Sequence, residues 1–155
     1  MIFNYRLKFL REKNNFSQKD IAIKLGISNS RYNHYESEID IIPIKYLIKI
    51  CEIYNVSLDY IFCFTNEPLC DNTKIKANID ISAMRLKELR FNKKLTLQKF
   101  SDIIGCSYSL VYAYEKGIYP IATKYLYNIC KKYKISADYL MGKTDKLIKI
   151  KDIKI

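Results

Sequence analysis

The sequence is poor in the residues on which many small enzymes and disulfide-stabilised proteins depend. It has 4 Gly and 1 His in 155 residues. The chain therefore has few of the glycines that a phosphate-binding loop needs, and one histidine is available for catalysis or metal binding. Its 5 Cys, an odd number at irregular spacing with no neighbouring His, fit neither a disulfide framework nor a zinc site. No paired carboxylates and no nucleophile with its base are apparent. We therefore expect reduced thiols, no metal, no cofactor and no enzymatic activity.

Long apolar runs are also missing. No stretch approaches the roughly 20 residues of a membrane span, and Met1 is not followed by a basic region and an apolar signal core. The sequence predicts a cytoplasmic protein without a membrane partner. Among the cysteines, we predict that Cys51 and Cys130 pack in a core, whereas Cys63 and Cys70 flank a predicted linker and are candidates for reactivity.

Positive charge is abundant and unevenly distributed. The chain has 27 Lys and Arg against 16 Asp and Glu, a net charge of +11. Residues 1–78 have a net charge of +2 and residues 79–155 a net charge of +9. This charge favours an anionic partner, most commonly nucleic acid, although a solvated lysine-rich surface without a specific partner is the alternative.

Residues 17–36 have the pattern of two short helices joined by a tight turn. Ser17 is placed to cap the first helix in a capping box with Asp20, and Gly26 is placed to end it in a left-handed conformation. Ser28 then starts a second helix whose outer positions are polar. An amphipathic helix, a Gly turn, a Ser cap and a polar second helix are the signature of a helix-turn-helix.

The whole pattern occurs twice. A shift of 79 positions superposes residues 6–62 on residues 85–141 without a gap, and 21 of the 57 positions are identical. A tandem duplication explains this identity, and it predicts an all-α chain. We predict a first five-helix domain over 1–64, a linker over 65–80, a second five-helix domain over 81–144 and a basic tail over 145–155.

The same patterns predict individual helix bounds. The predicted helices cover 4–13, the two helices of the motif, 43–54, 58–62 after a cap at Ser57, 83–92, 97–104, 108–116, 122–133 and 137–141. Ser82 is the predicted start of the second domain, and Leu7, Leu10 and Phe3 are predicted to face the first core. In the linker, Ile75, Ala77, Ile79 and Ile81 alternate with polar residues, which indicates either a half-buried strand or a surface coil. A strand there could pair with Ile148 and Ile150 of the tail, unless the tail is frayed.

These residues resemble the phage-repressor and Cro-like (XRE-type) helix-turn-helix regulators. The resemblance rests on LKFLREKNNFSQKDIAIKLGIS, on the pair Tyr35 and Glu36, and on VSLDYIF. It implies two tandem lambda-repressor-like domains in a transcriptional regulator, a repressor that reads the major groove of double-stranded DNA. The alternative is a protein-interaction module, such as an antitoxin or an anti-repressor partner. Since most members pair on two half-sites, the resemblance implies a homodimer or an intramolecular pseudo-dimer.

The resemblance also implies roles for individual residues. The positions implied to contact DNA are Gln18, Ser28, Asn29, Ser30, Arg31, Asn33 and His34 in the first copy, and Lys93, Lys94, Lys99, Ser107, Tyr108, Ser109 and Tyr112 in the second. The plain alternative for each is an exposed polar side chain. As the only histidine, His34 invites a metal or catalytic role, but we find no second ligand at a useful spacing. Arg11 with Glu36 and Arg90 with Glu115 are implied to form buried structural pairs.

The second copy departs from the family pattern where bases would be read. Gln18 of the first copy matches the family's glutamine, which the resemblance implies to clamp a phosphate and a neighbouring side chain. In the second copy Leu97 replaces it, and Tyr108 and Tyr112 offer few paired hydrogen bonds. We expect the first domain to specify the sequence and the lysines of the second to position the DNA through phosphates. The alternative is that Tyr108, Leu110 and Tyr112 form a surface for a protein.

Overall fold

A computed structural model describes residues 4–69, 76–147 and 150, and their regular secondary structure is α-helical. These residues divide into two compact units, one within residues 4–69 and one within residues 76–150. The first unit contains α1 (Asn4–Lys13), α2 (Gln18–Leu25), α3 (Asn29–Glu36), α4 (Ile44–Tyr54) and α5 (Leu58–Ile61). The second contains α6 (Ile79–Asn92), α7 (Leu97–Ile104), α8 (Tyr108–Glu115), α9 (Thr123–Tyr133) and α10 (Ala137–Leu140). The predicted all-α class is confirmed.

The core of the first unit is formed by one apolar face from each of its five helices. The side chains buried there include Leu7, Leu10, Ile21, Leu25, Tyr32, Tyr35, Leu47, Ile50, Cys51, Leu58 and Ile61. Their spacing of three and four residues puts them on single helix faces, and their burial is the main stabilising contribution to such short helices. Cys51 is thus a core residue, as predicted, and its repeat equivalent Cys130 is buried in α9.

Helix ends follow the predicted capping chemistry. Ser17, Ser28 and Ser57 in the first unit each accept a hydrogen bond from a backbone N–H in the first turn of the helix that follows. Pro43 immediately precedes α4 and does not belong to it. Several predicted ends lie one residue too far, because the last predicted residue, such as Phe62 or Met141, is the C-terminal cap.

The start predicted for the first helix of the second domain, residue 83 after Ser82, is wrong. Helix α6 begins at Ile79, where Asn78 is the N-cap and its side-chain oxygen accepts hydrogen bonds from the backbone N–H groups of Asp80 and Ile81, both at 3.0 Å. The backbone N–H of Asn78 also donates to the carbonyl oxygen of Met141 at 3.0 Å. The predicted start, Ser82, is instead a buried residue inside the helix. The predicted linker therefore overlaps the first turn of α6.

The possible strand pairing between linker and tail is also wrong for the residues that can be checked. Ile79 and Ile81 are helical, and the backbone N–H of Ile150 donates to the carbonyl oxygen of Lys134 at 3.1 Å.

A left-handed glycine explains the close packing of the first turn of α6. Gly142 has φ of +71°, and a Cβ there would lie 3.0 Å from Cβ of Ile81. The predictions for Phe3, Cys70, Ile75 and Ile148, and for the tail beyond Ile150, concern residues outside the described ranges.

Candidate nucleic-acid interface

The start of α2, its end and the start of α3 are fixed by the local caps that the sequence predicts. The Ser17 side chain accepts from the backbone N–H of Asp20 at 3.1 Å, and the Ser17 backbone N–H donates to the Asp20 carboxylate at 2.7 Å. Gly26 follows α2 with φ of +73°, in the left-handed region. The Ser28 hydroxyl then accepts from the backbone N–H of Arg31 at 3.2 Å and fixes the first turn of α3.

Helix α3 has an anchored face and a free face. Tyr32 and Tyr35 are buried, at 0% and 3% exposure. The side chains of Asn29, Ser30 and Arg31 are exposed in the first turn of the same helix. Since the buried tyrosines prevent rotation of the helix about its axis, the side of α3 that carries these three polar residues faces outward.

Helices α1 and α3 are joined by the ion pair of Arg11 and Glu36. Nε of Arg11 donates to Oε1 of Glu36 at 2.7 Å and Nη2 donates to Oε2 at 3.0 Å, a bidentate arrangement. The two side chains are 12% and 3% exposed. Arg11 also donates from Nη1 to the carbonyl oxygen of Phe16 at 3.0 Å, which connects the pair to the chain entering α2.

Two amide side chains extend this ion pair to the surface of α3. Nε2 of Gln18 donates to Oε2 of Glu36 at 3.0 Å, and Nδ2 of Asn33 donates to Oε1 of Gln18 at 3.1 Å. The resemblance implies that Gln18 clamps a phosphate and a neighbouring side chain and that Asn33 is an outward base contact, but it does not say which side chain Gln18 contacts. In the structure both are half-buried and hydrogen-bonded to each other. Sequence reasoning did not pair these two residues, because they are 15 residues apart and on different helices.

His34 has a carboxylate partner that the sequence analysis missed. Nδ1 of His34 lies 3.2 Å from Oδ2 of Asp40, in the loop after α3. The backbone N–H groups of Ile39 and Asp40 both donate to the carbonyl oxygen of His34, at 3.0 and 3.2 Å, and so turn the loop back onto the helix. In the described part of the chain, no group of three or more His, Cys, Asp or Glu residues is placed to hold a metal ion.

The second unit repeats the ion pair without the amides. Nε and Nη2 of Arg90 donate to the two carboxylate oxygens of Glu115 at 2.6 and 2.8 Å. Ser107 caps α8 as Ser28 caps α3. The equivalents of Gln18 and Asn33, however, are Leu97 and Tyr112. The ion pair is therefore common to both copies, and the amide extension belongs to the first.

The exposed side chains of α8 are largely aromatic and the nearby charges are basic. Tyr108 and Tyr112 are 49% and 45% exposed, Ser109 is exposed, and Nζ of Lys116 lies 5.6 Å from the centre of the Tyr112 ring. The candidate phosphate contacts Lys93, Lys94 and Lys99, around the start of α7, are also exposed. At the equivalent positions the first domain has Asn14, Asn15 and Asp20.

The network shifts the titration of its central carboxylate. Burial alone raises the pKa of Glu36, but the hydrogen bonds donated by Arg11 and Gln18 outweigh this effect and hold the pKa below its ordinary value of 4.5. A carboxylate whose folded-state pKa is lowered stabilises the fold above its unfolded-state pKa. This contribution is lost as the pH falls through the folded-state value.

We therefore expect the difference in free energy of unfolding between the wild-type protein and Glu36→Gln to depend on pH. It should be largest above pH 4.5 and should shrink below that value as Glu36 becomes protonated. Urea unfolding of both proteins at a series of pH values on either side of 4.5 measures this difference. A difference that is independent of pH would show that the charge of Glu36 does not stabilise the first domain.

Two short helices joined at a left-handed glycine, with the second fixed by a buried ion pair, define a helix-turn-helix domain. The sequence model of the family described as "Helix-turn-helix domain" matches at residues 4–67 and again at residues 83–146. These matches span most of the chain, which therefore belongs to the helix-turn-helix domain family. The prediction of two tandem copies is confirmed. The motif is one of nucleic-acid binding and not of catalysis, which agrees with the prediction that the chain is not an enzyme.

Two curated relatives, both from Bacillus subtilis (strain 168), share about one copy each with this chain. The "Uncharacterized HTH-type transcriptional regulator YobD" is 36% identical over 63 residues, which cover 41% of this chain and 56% of the relative. The "HTH-type transcriptional regulator ImmR" is 38% identical over 61 residues, or 39% of this chain and 48% of the relative. The chain thus spans about half the length of these relatives. No solved structure matches it.

Within the ranges that the structure describes, no helix has the length and apolar character needed to cross a bilayer.

Proposed function

We propose that this protein is a sequence-specific double-stranded DNA-binding transcriptional regulator, a repressor that reads the major groove with α3. The observation that supports this most directly is the free face of α3, where Asn29, Ser30 and Arg31 are exposed on a helix anchored by Tyr32 and Tyr35. Asn matches adenine through two hydrogen bonds, Arg matches guanine in the same way, and Ser accepts or donates to either. The names of the two relatives, both HTH-type transcriptional regulators, support the same class.

In this proposal the two domains have different tasks. The first domain specifies the sequence, since its exposed α3 side chains have matched donors and acceptors. The second positions the DNA: Lys93, Lys94 and Lys99 contact phosphates, while Tyr108 and Tyr112 contact thymine methyl groups or the sugar backbone. The net charge of +9 on residues 79–155 favours this division.

A mobility-shift titration against genomic fragments tests the proposal. The protein should bind a subset of fragments much more tightly than scrambled DNA, and all binding should weaken as the salt concentration rises. A protein that binds no DNA at low salt would refute the proposal. One that binds all fragments equally would refute the sequence specificity.

We expect the Lys93→Ala, Lys94→Ala and Lys99→Ala triple variant to show a smaller dependence of affinity on salt. The slope of log affinity against log salt should fall by up to about 0.9 for each phosphate that the variant no longer neutralises, because fewer counterions are released on binding. A matched control removes Lys87, Lys131 and Lys132, which are exposed on α6 and α9 of the same domain. Equal slopes for the triple variant and the wild type would move the DNA footprint away from the start of α7.

A specific observation supports a second candidate function, binding of a protein partner by the second domain. Tyr108 and Tyr112 are half exposed where the first domain has polar Asn29 and Asn33. In that case the Tyr108→Ser and Tyr112→Asn double variant would retain full DNA affinity and lose a partner. If the second domain contacts DNA, the same variant loses DNA affinity.

Two copies in one chain also suggest how a two-part operator is bound. We propose that the chain binds as an intramolecular pseudo-dimer on an imperfect palindrome. Its halves would differ, because Asn29 and His34 in one copy are Tyr108 and Ala113 in the other. Footprinting combined with the mass in solution tests this. Two protected turns per monomer support the pseudo-dimer, and one protected turn per monomer favours a homodimer.

A further inference from the structure

A row of four side chains connects the buried ion pair of the first domain to the surface of α3. It runs from Arg11 through Glu36 and Gln18 to Asn33, and we call these four residues the relay. We propose that the relay makes Asn33 a specificity-determining residue that selects adenine at one position of the DNA site, with Gln18 as the positioning residue. This inference rests on the proposed function, since it assumes that α3 enters the major groove.

The first step is the orientation of Gln18. An ionised carboxylate only accepts hydrogen bonds, and the oxygens of Glu36 already accept two from Arg11. The Gln18 group at 3.0 Å from Oε2 of Glu36 must therefore be the amide nitrogen and not the amide oxygen. Rotating the Gln18 amide by 180° would place its Oε1 against Oε2 of Glu36, and both of these atoms are acceptors. Glu36 thus fixes which end of the Gln18 amide faces the core.

The second step transfers this orientation to Asn33. Because Nε2 of Gln18 faces Glu36, its Oε1 faces Asn33 and accepts from Nδ2 at 3.1 Å. An oxygen without hydrogens requires a donor opposite it, so the amide of Asn33 is also prevented from turning over. Oδ1 of Asn33 and the second hydrogen of Nδ2 remain to be offered to a ligand in fixed positions.

The third step is the match with a base. Adenine presents an acceptor, N7, beside a donor, the N6 amino group, in the major groove, and an asparagine amide pairs with both. Guanine presents two acceptors and thymine an acceptor beside a methyl group, so neither matches one donor and one acceptor. An asparagine amide that can rotate by 180° can exchange the positions of its oxygen acceptor and its NH2 donor. An amide that is held in one orientation presents them in one arrangement only. The relay therefore favours adenine on one strand at that position.

The second domain shows that the relay is not needed to build the fold. Leu97 and Tyr112 stand at the positions of Gln18 and Asn33, and yet the ion pair of Arg90 and Glu115 is bidentate at 2.6 and 2.8 Å. A leucine at this point of the helix is thus compatible with the same ion pair. The amides of Gln18 and Asn33 are therefore not required for an ion pair of this kind to form.

Gln18→Leu, which copies the second domain, is the direct test. Wild type and variant are each used to select sites from a library of randomised double-stranded DNA. Their affinities are then measured for the selected site with each of the four base pairs at every position. The variant should lose about tenfold or more of its preference for adenine at one position and keep its preferences elsewhere. A uniform loss of affinity for all sequences would overturn the inference, because Gln18 would then serve only to bind a phosphate.

Further variants separate positioning from general damage. Asn33→Ala should relax the same position, and the Gln18→Leu and Asn33→Ala double variant should relax it no further, because both changes remove one interaction. Leu97→Gln in the second domain is the matched control and should leave every preference unchanged. Thermal unfolding of each variant verifies that the first domain remains folded.

The outcomes distinguish this inference from the function on which it rests. If the wild type selects no sequence, the proposed function fails and the inference fails with it. If the wild type selects a site while Gln18→Leu and Asn33→Ala keep every base preference, the inference is overturned and the proposed function stands. Relaxation of different positions by the two variants would likewise overturn it, because the relay requires one shared position.

Discussion

Replacing Glu36 by alanine is expected to lower the free energy of unfolding of the first domain by about 3 to 5 kcal/mol. The substitution leaves the guanidinium of Arg11, whose side chain is 12% exposed, without the carboxylate that accepts two of its hydrogen bonds. It also removes the acceptor for Nε2 of Gln18. The cost comes mainly from the buried charge that is left without a partner, and not from the strength of the ion pair itself.

Chemical denaturation measures this effect, and the chain provides its own controls. Glu12→Ala removes an exposed carboxylate of α1 that lies 3.9 Å from Nζ of Lys8 and 3.7 Å from Nη2 of Arg11. Because the Glu12 side chain is 57% exposed, its loss should change the stability by less than about 1 kcal/mol. Glu115→Ala should produce a loss similar to that of Glu36→Ala, but in the unfolding transition of the second domain. If Glu36→Ala were as mild as Glu12→Ala, the ion pair would not be a structural anchor of α3.

The Asn29→Ala and Ser30→Ala double variant is expected to weaken binding to the selected DNA site by a few kcal/mol and to leave non-specific binding nearly unchanged. Both side chains are exposed in the first turn of α3, so their removal leaves the buried face of the helix intact. In the proposed function they contact base edges, and non-specific affinity depends on phosphate contacts made elsewhere. Titration of the selected site and of scrambled DNA at the same salt concentration measures both effects.

Equivalent positions of the second domain provide the matched comparison. Tyr108→Ala and Ser109→Ala together should reduce the specific affinity less, because these side chains offer fewer paired hydrogen bonds to bases. If specific and non-specific affinity fell equally for Asn29→Ala and Ser30→Ala, these residues would be phosphate contacts or structural. A larger specific loss in the second-domain variant would reverse the assignment of tasks to the two domains.

Local chemistry made much of the fold predictable from the sequence. The end of α2 could be predicted because only a few residues, Gly above all, readily adopt a left-handed conformation, and its start because Ser17 and Asp20 satisfy backbone groups within one turn. The resemblance implied a long-range pair, Arg11 with Glu36, and the duplication repeats it at the same separation as Arg90 with Glu115. Each pair is bidentate in the structure. The DNA contacts inferred for Asn29, Ser30 and the lysines remain predictions.

The sequence by itself therefore determined two tandem helix-turn-helix domains, their caps and the apolar faces that form their cores, because these depend on neighbours within a turn or on the repeat. Only the tertiary structure decided where α6 begins. The alternation at Ile79 and Ile81 indicates either a half-buried strand or a surface coil, but capping by Asn78 and packing against Gly142 favour a helix. It also decided that Gln18 and Asn33 form one hydrogen-bonded unit with Glu36. Hydrogen bonds between side chains on different helices depend on how the helices pack, and no local pattern specifies that packing.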